Sequence, residues 1–261
     1  MENQDVINLY ISGASKYAIA KKFGATTGKI HSILRKYKIP LRKINKNKKY
    51  ICNDNYFSAI DSHEKAYWLG FLAADGSVSK DDNEISIGLA YKDISHIMAF
   101  KSIIQSDNKI YIYESTVNGK TYKCCKFCFY SAPMKIDLQN HNIVPNKSKT
   151  LELSKNIPKQ FMNSYLLGII DGDGSFYLDK ENQMHFNIIG SKMEIEEIQS
   201  ILIKNCSLNI TKIQQEKRSK EMWYLSYGGN GSLKRIVNYL YKNSPIYLER
   251  KYNIISNLLK S

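Results

Sequence analysis

Trp68-Leu-Gly-Phe-Leu-Ala-Ala-Asp-Gly76 and Leu166-Leu-Gly-Ile-Ile-Asp-Gly-Asp-Gly174 are the two stretches that decide the fold. Each is an apolar run with glycine in its third position and an Asp-Gly pair at its end. The second follows the first at a constant offset of 98 residues. That period is too long for a solenoid unit and about right for a duplicated small domain. The chain is therefore expected to fold as two similar halves, each contributing one acidic residue to the same task.

The surroundings of each stretch predict a helix. Asp61-Ser62-His63-Glu64 has the Asp-x-x-Glu form of a capping box, so the first helix is expected to start there and run through Ala74. The second is expected after Pro158, running through Gly172, with Gly76 and Gly174 as left-handed C-terminal caps. Gly70 and Ala74 lie four apart, as do Gly168 and Gly172, which flattens one face of each helix and lets another backbone approach. If the helices pack side by side and parallel, Asp75 and Asp173 meet where the macrodipoles already gather negative charge. Such an oxygen-rich end suits Mg²⁺, which binds through a few carboxylates, water and substrate phosphate. A single Asp-Gly reads as an ordinary turn; its duplication on small-residue faces does not.

Strands are predicted at Glu84 to Ala90, Gly174 to Leu178 and Met184 to Ile189, with hairpin tips at Thr116–Thr121 and Glu216–Glu221. Helix, two strands, helix, two strands, helix is the reading of each half. The fold class expected is α+β, with two pseudo-symmetric αββαββα halves over 56–155 and 156–261. A small all-α domain (1–44) and a basic linker (45–55) precede them.

The net charge of +14 is unevenly placed. Residues 1–50 hold 12 Lys and Arg against Glu2 and Asp5, a net of +10. Charge so concentrated draws a polyanion, and with no broad apolar face beside it nucleic acid is the expected partner rather than a membrane. No run of 18 apolar residues is present, and Met1-Glu-Asn-Gln-Asp5 is no secretory signal. The five cysteines have no regular spacing, which favours reduced thiols in a cytoplasmic setting, the alternatives being an organellar or phage-encoded one. Cys124-Cys-Lys-Phe-Cys128 has no second Cys/His pair and sits in a strand pattern, which argues against zinc.

Within 1–44, Ser15 is placed as N-cap of a helix over Lys16 to Phe23, with Gly24 at the turn. Thr26 or Thr27 then caps a helix with Ile30, Ile33, Leu34 and Tyr37 inward, and Pro40 closes the unit. Ile19-Ala20-Lys-Lys-Phe23-Gly24 and Ile33-Leu-Arg-Lys-Tyr-Lys-Ile-Pro40 resemble the resolvase/invertase helix-turn-helix. The resemblance implies that Thr26, Thr27, Lys29, His31 and Arg35 lie at or near a major groove. Arg42 and Lys43, in the basic tether Leu41–Tyr50, then follow phosphates.

The doubled motif resembles the LAGLIDADG homing endonucleases in their single-chain form, over about residues 56–261. That resemblance implies paired motif helices between two halves, with the last acidic residues holding divalent metal (Mg²⁺ or Mn²⁺) over the scissile phosphates. Asp75 and Asp173 become the ligands, helped by the carbonyls of Ala74 and Gly172. The first copy departs from the pattern at Ala73, where the second has Asp171. Asn142–Lys149 and Pro245–Tyr252 resemble the segments that end each half, which implies lysines near the active centre at Lys147 (with Lys149 its rival) and Lys251. The implied activity is site-specific double-strand DNA cleavage leaving 3′ overhangs, by a monomer with internal pseudo-two-fold symmetry acting on a long, near-asymmetric target.

Sheets of the two halves would cover the major groove, one face packed on helices and the other reading bases. With Cys125, Phe127 and Phe129 inward, Tyr122, Lys126 and Tyr130 turn to the duplex. Ser77, Ser79, Ser175, Tyr177, Lys212, Gln214 and Arg218 join them, all subject to register. The rival readings are a non-cleaving helix-turn-helix/LAGLIDADG regulator, which loss of either aspartate would have favoured, and an intron RNA maturase. An arm shaped for the B-DNA groove argues against the maturase.

Overall fold

The computed structural model describes residues 3–11, 16–37, 39, 51–217 and 219–260. The chain divides into two compact units, Met1–Lys49 and Tyr50–Ser261.

The first unit holds helices α1 (Asn3–Ile11), α2 (Lys16–Lys22) and α3 (Thr27–Lys36) around a small core that includes Val6, Ile19, Ile30 and Leu34. Gly24 takes φ +59 at the turn between α2 and α3, the left-handed conformation that glycine adopts without strain. Thr26 settles the cap: its hydroxyl accepts from the Lys29 N–H at 3.2 Å. Tyr37, expected inside, stands 45% exposed at the C-cap and accepts from Asn3. The last helical turn ends at Lys36, so the apolar stripe stops one residue short of it. Ser15, Pro40, Arg42 and Lys43 lie outside the described residues.

The second unit repeats one arrangement twice. Its first half runs α4 (His63–Asp75), β1 (Gly76–Val78), β2 (Glu84–Ala90), α5 (Ile94–Ile103), β3 (Ile110–Val117), β4 (Lys120–Tyr130) and α6 (Ala132–Asn140). Its second half runs α7 (Met162–Asp173), β5 (Gly174–Leu178), β6 (Met184–Gly190), α8 (Lys192–Cys206), β7 (Gln214–Gln215), β8 (Trp223–Gly228) and α9 (Asn230–Leu240), followed by α10 (Glu249–Lys260). The antiparallel sheets have matching orders, β1-β2-β4-β3 and β5-β6-β8-β7. Each half is thus αββαββα, as the duplicated motif predicts.

Two local expectations fail. The first helix is capped by Ser62, which accepts from Lys65 N–H at 3.2 Å, and not by Asp61. Asp61 pairs instead with the Lys65 ammonium one turn on, at 3.0 Å, while Glu64 accepts from the Tyr56 hydroxyl. Gly76 and Gly174 are not left-handed caps: their backbones are extended, at φ −77 and −86, and each helix runs through its aspartate straight into a strand. Glycine is needed there for room, because a Cβ would stand 2.5 Å from the Leu72 carbonyl oxygen and 2.7 Å from that of Ile170. The β3–β4 tip is the two-residue turn Asn118-Gly119 with both φ positive, which matches the right-handed twist of the strands it joins.

The core is continuous through both halves, centred on α4 and α7 and filled by Trp68, Phe71, Phe100, Phe127, Tyr165 and Phe186. The sequence period shows in the sheets. Cys125, Phe127 and Phe129 are fully buried on one face of β4, and the even-numbered residues between them face out.

Candidate active site and nucleic-acid interface

The small-residue faces explain how α4 and α7 come together. A Cβ on Gly70 would lie 2.0 Å from the Tyr165 carbonyl oxygen, and one on Gly168 2.0 Å from that of Tyr67. Each helix therefore rests its backbone on the other. The contacts advance in step along both helices, from His63 Nδ1 and Ser164 Oγ at 2.8 Å to Ala74 against Gly172, so the helices are parallel. Their C-terminal ends, and the carboxylates on them, share one place.

Asp75 is half-buried and its Oδ2 lies 3.4 Å from where a Gly172 Cβ would sit. Burial first, and the charge of Asp173 second, push its carboxyl up to about 6 against the pull of Lys251 and Lys147. Asp173 stands at the more open rim; its carboxyl is also raised, by crowding that outweighs the same two lysines. Two acids that resist ionising together make a place where a bound cation would restore the charge balance.

The lysines are not solvated surface residues. Lys147 is 6% exposed and donates to the carbonyls of Ala74 at 3.1 Å and Gly76 at 2.7 Å. Lys251, 5% exposed, meets the carbonyls of Ile170 at 2.9 Å, Asp171 at 2.6 Å, Gly172 at 3.4 Å and Gly174 at 2.5 Å. Each ammonium thus sits on carbonyls where a helix passes into a strand, at the end whose dipole favours a cation. Burial lowers both lysines despite the nearby aspartates. Lys149, the rival of Lys147, points away in an exposed ion pair with Glu221.

Asp75, Asp173, Lys147, Lys251 and the carbonyls of Ala74 and Gly172 are therefore gathered at one point. A cavity of about 280 Å³ opens beside them, lined by Ala74, Lys147, Asp173, Gly190 and Glu194. A larger hollow of about 760 Å³, between α5 and residues 245–253, contains neither carboxylate. Among the described residues no group of three or more His, Cys, Asp or Glu is placed to hold a metal by itself.

Four further residues gather here in roles that the linear pattern does not show. Asp171 is fully buried; its Oδ2 accepts from Tyr67 at 2.8 Å and from the Leu248 N–H at 2.7 Å, while Oδ1 has no partner. Burial raises it to about 7. Tyr67 has one phenolic proton, given to Asp171, so His96 Nε2 at 2.9 Å is the donor to the phenol oxygen. Glu194 closes a capping box with Ser191 in α8, yet is only 2% exposed and is pushed to about 8 by burial and by Asp173. Its counterpart at the start of α5, Asp93, forms a forked ion pair with Arg250 at 3.1–3.2 Å.

Strand pairing tests the outward register. Ser77 opposes Ser86, and Tyr122 opposes Ser115, on the face opposite the buried Ile85, Ile87 and Phe127. Lys126 and Tyr130 share that face, as do Ser175, Tyr177 and Gln214 in the second sheet. Ser79 continues the row, but its hydroxyl accepts from the N–H groups of Asp81 and Asp82 and so serves its own turn. Gln214 accepts from Tyr224 at 2.7 Å. Lys212 is exposed just before β7, and Arg218 lies outside the described residues. In α3, Thr27, Lys29 and Arg35 are exposed, His31 is half-buried, and Thr26 is occupied as the cap.

No family model and no curated protein matches this sequence. Solved structures do. The fold is that of the single-chain, two-motif LAGLIDADG homing endonucleases. The meganuclease I-SmaMI bound to uncleaveable DNA is similar at 12% identity and a TM-score of 0.50, over 74% of this chain and 88% of that one. I-GzeII, a LAGLIDADG homing endonuclease in complex with its DNA target, is similar at 12% identity and 0.50, over 75% and 88%.

Proposed function

We propose that this protein is a site-specific double-strand DNA endonuclease of the homing type that hydrolyses phosphodiester bonds with a divalent metal. The observation that carries the reading is the convergence of Asp75 and Asp173 at the shared end of two parallel helices, one from each half. The DNA in the I-SmaMI and I-GzeII structures supports carrying a duplex partner across to this chain.

The donor set fits Mg²⁺ or Mn²⁺: two carboxylates raised by burial, Asp75 further by the charge of Asp173, with backbone carbonyls beside them and room for water and phosphate. Asp75, Asp173 and the carbonyls of Ala74 and Gly172 are the residues that would hold it. Such an ion lowers the pKa of a bound water and offsets charge gathering on the phosphate.

The chain's own residues do the remaining work. Lys147 and Lys251 hold the helix ends and set a positive field where the pentacovalent phosphate would form. Their roles differ in degree. Three N–H groups of Lys251 already serve four carbonyls, whereas Lys147 serves two, so Lys147 is better able to turn toward a phosphate oxygen. One aspartate per half implies one cut per strand, leaving 3′ overhangs. The outward sheet faces would read the major groove of a long, near-asymmetric site, with the chain acting as a monomer. The basic N-terminal unit would add a helix-turn-helix contact through the exposed Thr27, Lys29 and Arg35, with Arg42 and Lys43 along phosphates.

Asp75→Asn and Asp173→Asn should each abolish double-strand cutting in Mg²⁺ while leaving DNA binding in place. The target is found first by incubating the native chain with a randomised duplex library and sequencing the cut ends. Undiminished cleavage by either variant refutes the assignment.

A further inference from the structure

Glu84 is out of place on a surface meant for phosphates and base edges. It lies at the start of β2 opposite Tyr130 in β4, on the same outward face as Lys126. The Tyr130 hydroxyl donates to its Oε2 at 2.5 Å, and the Lys126 ammonium stands 3.8 Å from its Oε1. Both side chains remain reachable, Glu84 at 29% and Lys126 at 43% exposure. The result is an acceptor and a donor held side by side, with the tyrosine fixing the acceptor's direction.

A second observation on the same face points to a ligand. Gly88, directly opposite Lys126, has an ordinary backbone, and a Cβ there would meet nothing closer than the Cys125 carbonyl oxygen at 3.9 Å. The protein's own packing gives no reason for glycine at this position. A glycine inside a regular strand, with no bulge and no crowding to require it, leaves room for another molecule to come close.

Resting on the DNA reading above, we propose that Glu84 and Lys126 together read one G·C base pair in the half-site covered by the first sheet. A carboxylate facing DNA is repelled by phosphate unless it meets a base donor, and the cytosine N4 amino group is the donor it suits. Lysine suits the O6 and N7 acceptors of the paired guanine, which lie next to that amino group on the groove edge. Gly76, the residue after Asp75, opposes Ile87 in β2, three positions from Glu84. At about 3.3 Å per strand residue the Glu84 backbone lies about 10 Å along β2 from the level of Gly76, while Lys126 is level with Gly88, so the pair read falls within the half-site under the first sheet. The second half does not mirror this. There Gly174 opposes Ile188, which puts His185 at the corresponding place, bound to Asp179 at 2.8 Å. The requirement should therefore fall in one half-site only.

The test selects cleaved or bound targets from a randomised duplex library with the full-length native chain, Glu84→Gln and Lys126→Met, alongside melting curves for all three. The expected result is one G·C position in one half-site where native discrimination is about tenfold or more. Both variants should relax that same position and leave the rest of the profile in place. Relaxation at two different positions, an unchanged profile, or a native preference for A·T at the affected position would overturn the assignment. If the native chain enriches no sequence at all, the DNA reading itself fails, and this inference with it.

Discussion

Gly168→Ala is the most exacting test of the helix pair. On an exposed helix the change should stabilise by about 1 kcal/mol, because alanine has the higher helix propensity. Here the new Cβ would begin 2.0 Å from the Tyr67 carbonyl oxygen and 2.7 Å from the Phe71 nitrogen, both backbone atoms that no rotamer change can move. Ordinary contact starts at 3.4 Å, so α4 and α7 must separate by about 1.4 Å at this point. Overpacking of this kind usually costs about 1–3 kcal/mol, and the rigid partner puts this case at the upper end. A net loss near 2 kcal/mol survives the propensity gain, or roughly 4–8 °C in melting temperature for a unit of this size. The same displacement would part Asp75 from Asp173, and misplacement by about 1 Å can cost about a hundredfold in rate. Thermal melts and cleavage kinetics read the two effects. Gly231→Ala serves as the control: it sits exposed in α9, and a Cβ there would meet only the end of Arg235 at 4.0 Å. It should be neutral or slightly stabilising. Native stability and native cutting by Gly168→Ala would refute the close approach on which the site is built.

Three further outcomes are expected. Asp171→Asn should be neutral or stabilising above pH 7, since asparagine keeps an acceptor for Tyr67 and Leu248 and removes a buried charge whose carboxyl is raised to about 7. Asp171→Ala strands both donors and should lose about 1–3 kcal/mol in urea unfolding, so equal losses by the two variants would refute the account. Because Asp75 is raised to about 6 from 3.8, its protonated form favours folding at low pH, and that contribution fades as pH rises through about 6. Mg²⁺ needs the ionised form, so its stabilising effect on melting temperature should grow between about pH 4 and pH 7; an effect independent of pH in the native chain would contradict it. Removing residues 1–44 should weaken target binding and reduce the slope of log affinity against log salt by about 0.9 for each phosphate that the shortened chain no longer neutralises. An unchanged slope would count against a DNA-binding role for that unit.

The two-fold architecture was legible because its cause is local. Glycines four apart and a repeated Asp-Gly specify a flattened helix face wherever they occur, and alternation in β4 specifies which side is core. Reading the C-terminal glycines as left-handed caps failed for a related reason. Sequence shows that a side chain is excluded at Gly76 and Gly174, not whether conformation or crowding excludes it. Capping by Asp61 failed because Asp61 and Ser62 offer the same chemistry one residue apart, and the choice falls to Asp61's attraction for Lys65.

By itself, then, the sequence determined the α+β halves, the small-residue faces that let Asp75 and Asp173 meet, and the outward register of Tyr122, Lys126, Ser175 and Tyr177. All of these follow from periodicities of two and of 3.6 and from small residues at contact points. Only the tertiary structure decided that Lys147 rather than Lys149 reaches the centre, that both lysines sit on helix-end carbonyls, and that Glu84 joins Lys126. Those pairings link residues 42 to 81 positions apart. Distances that long along the chain are set by how whole elements pack, and leave no period for a linear pattern to carry.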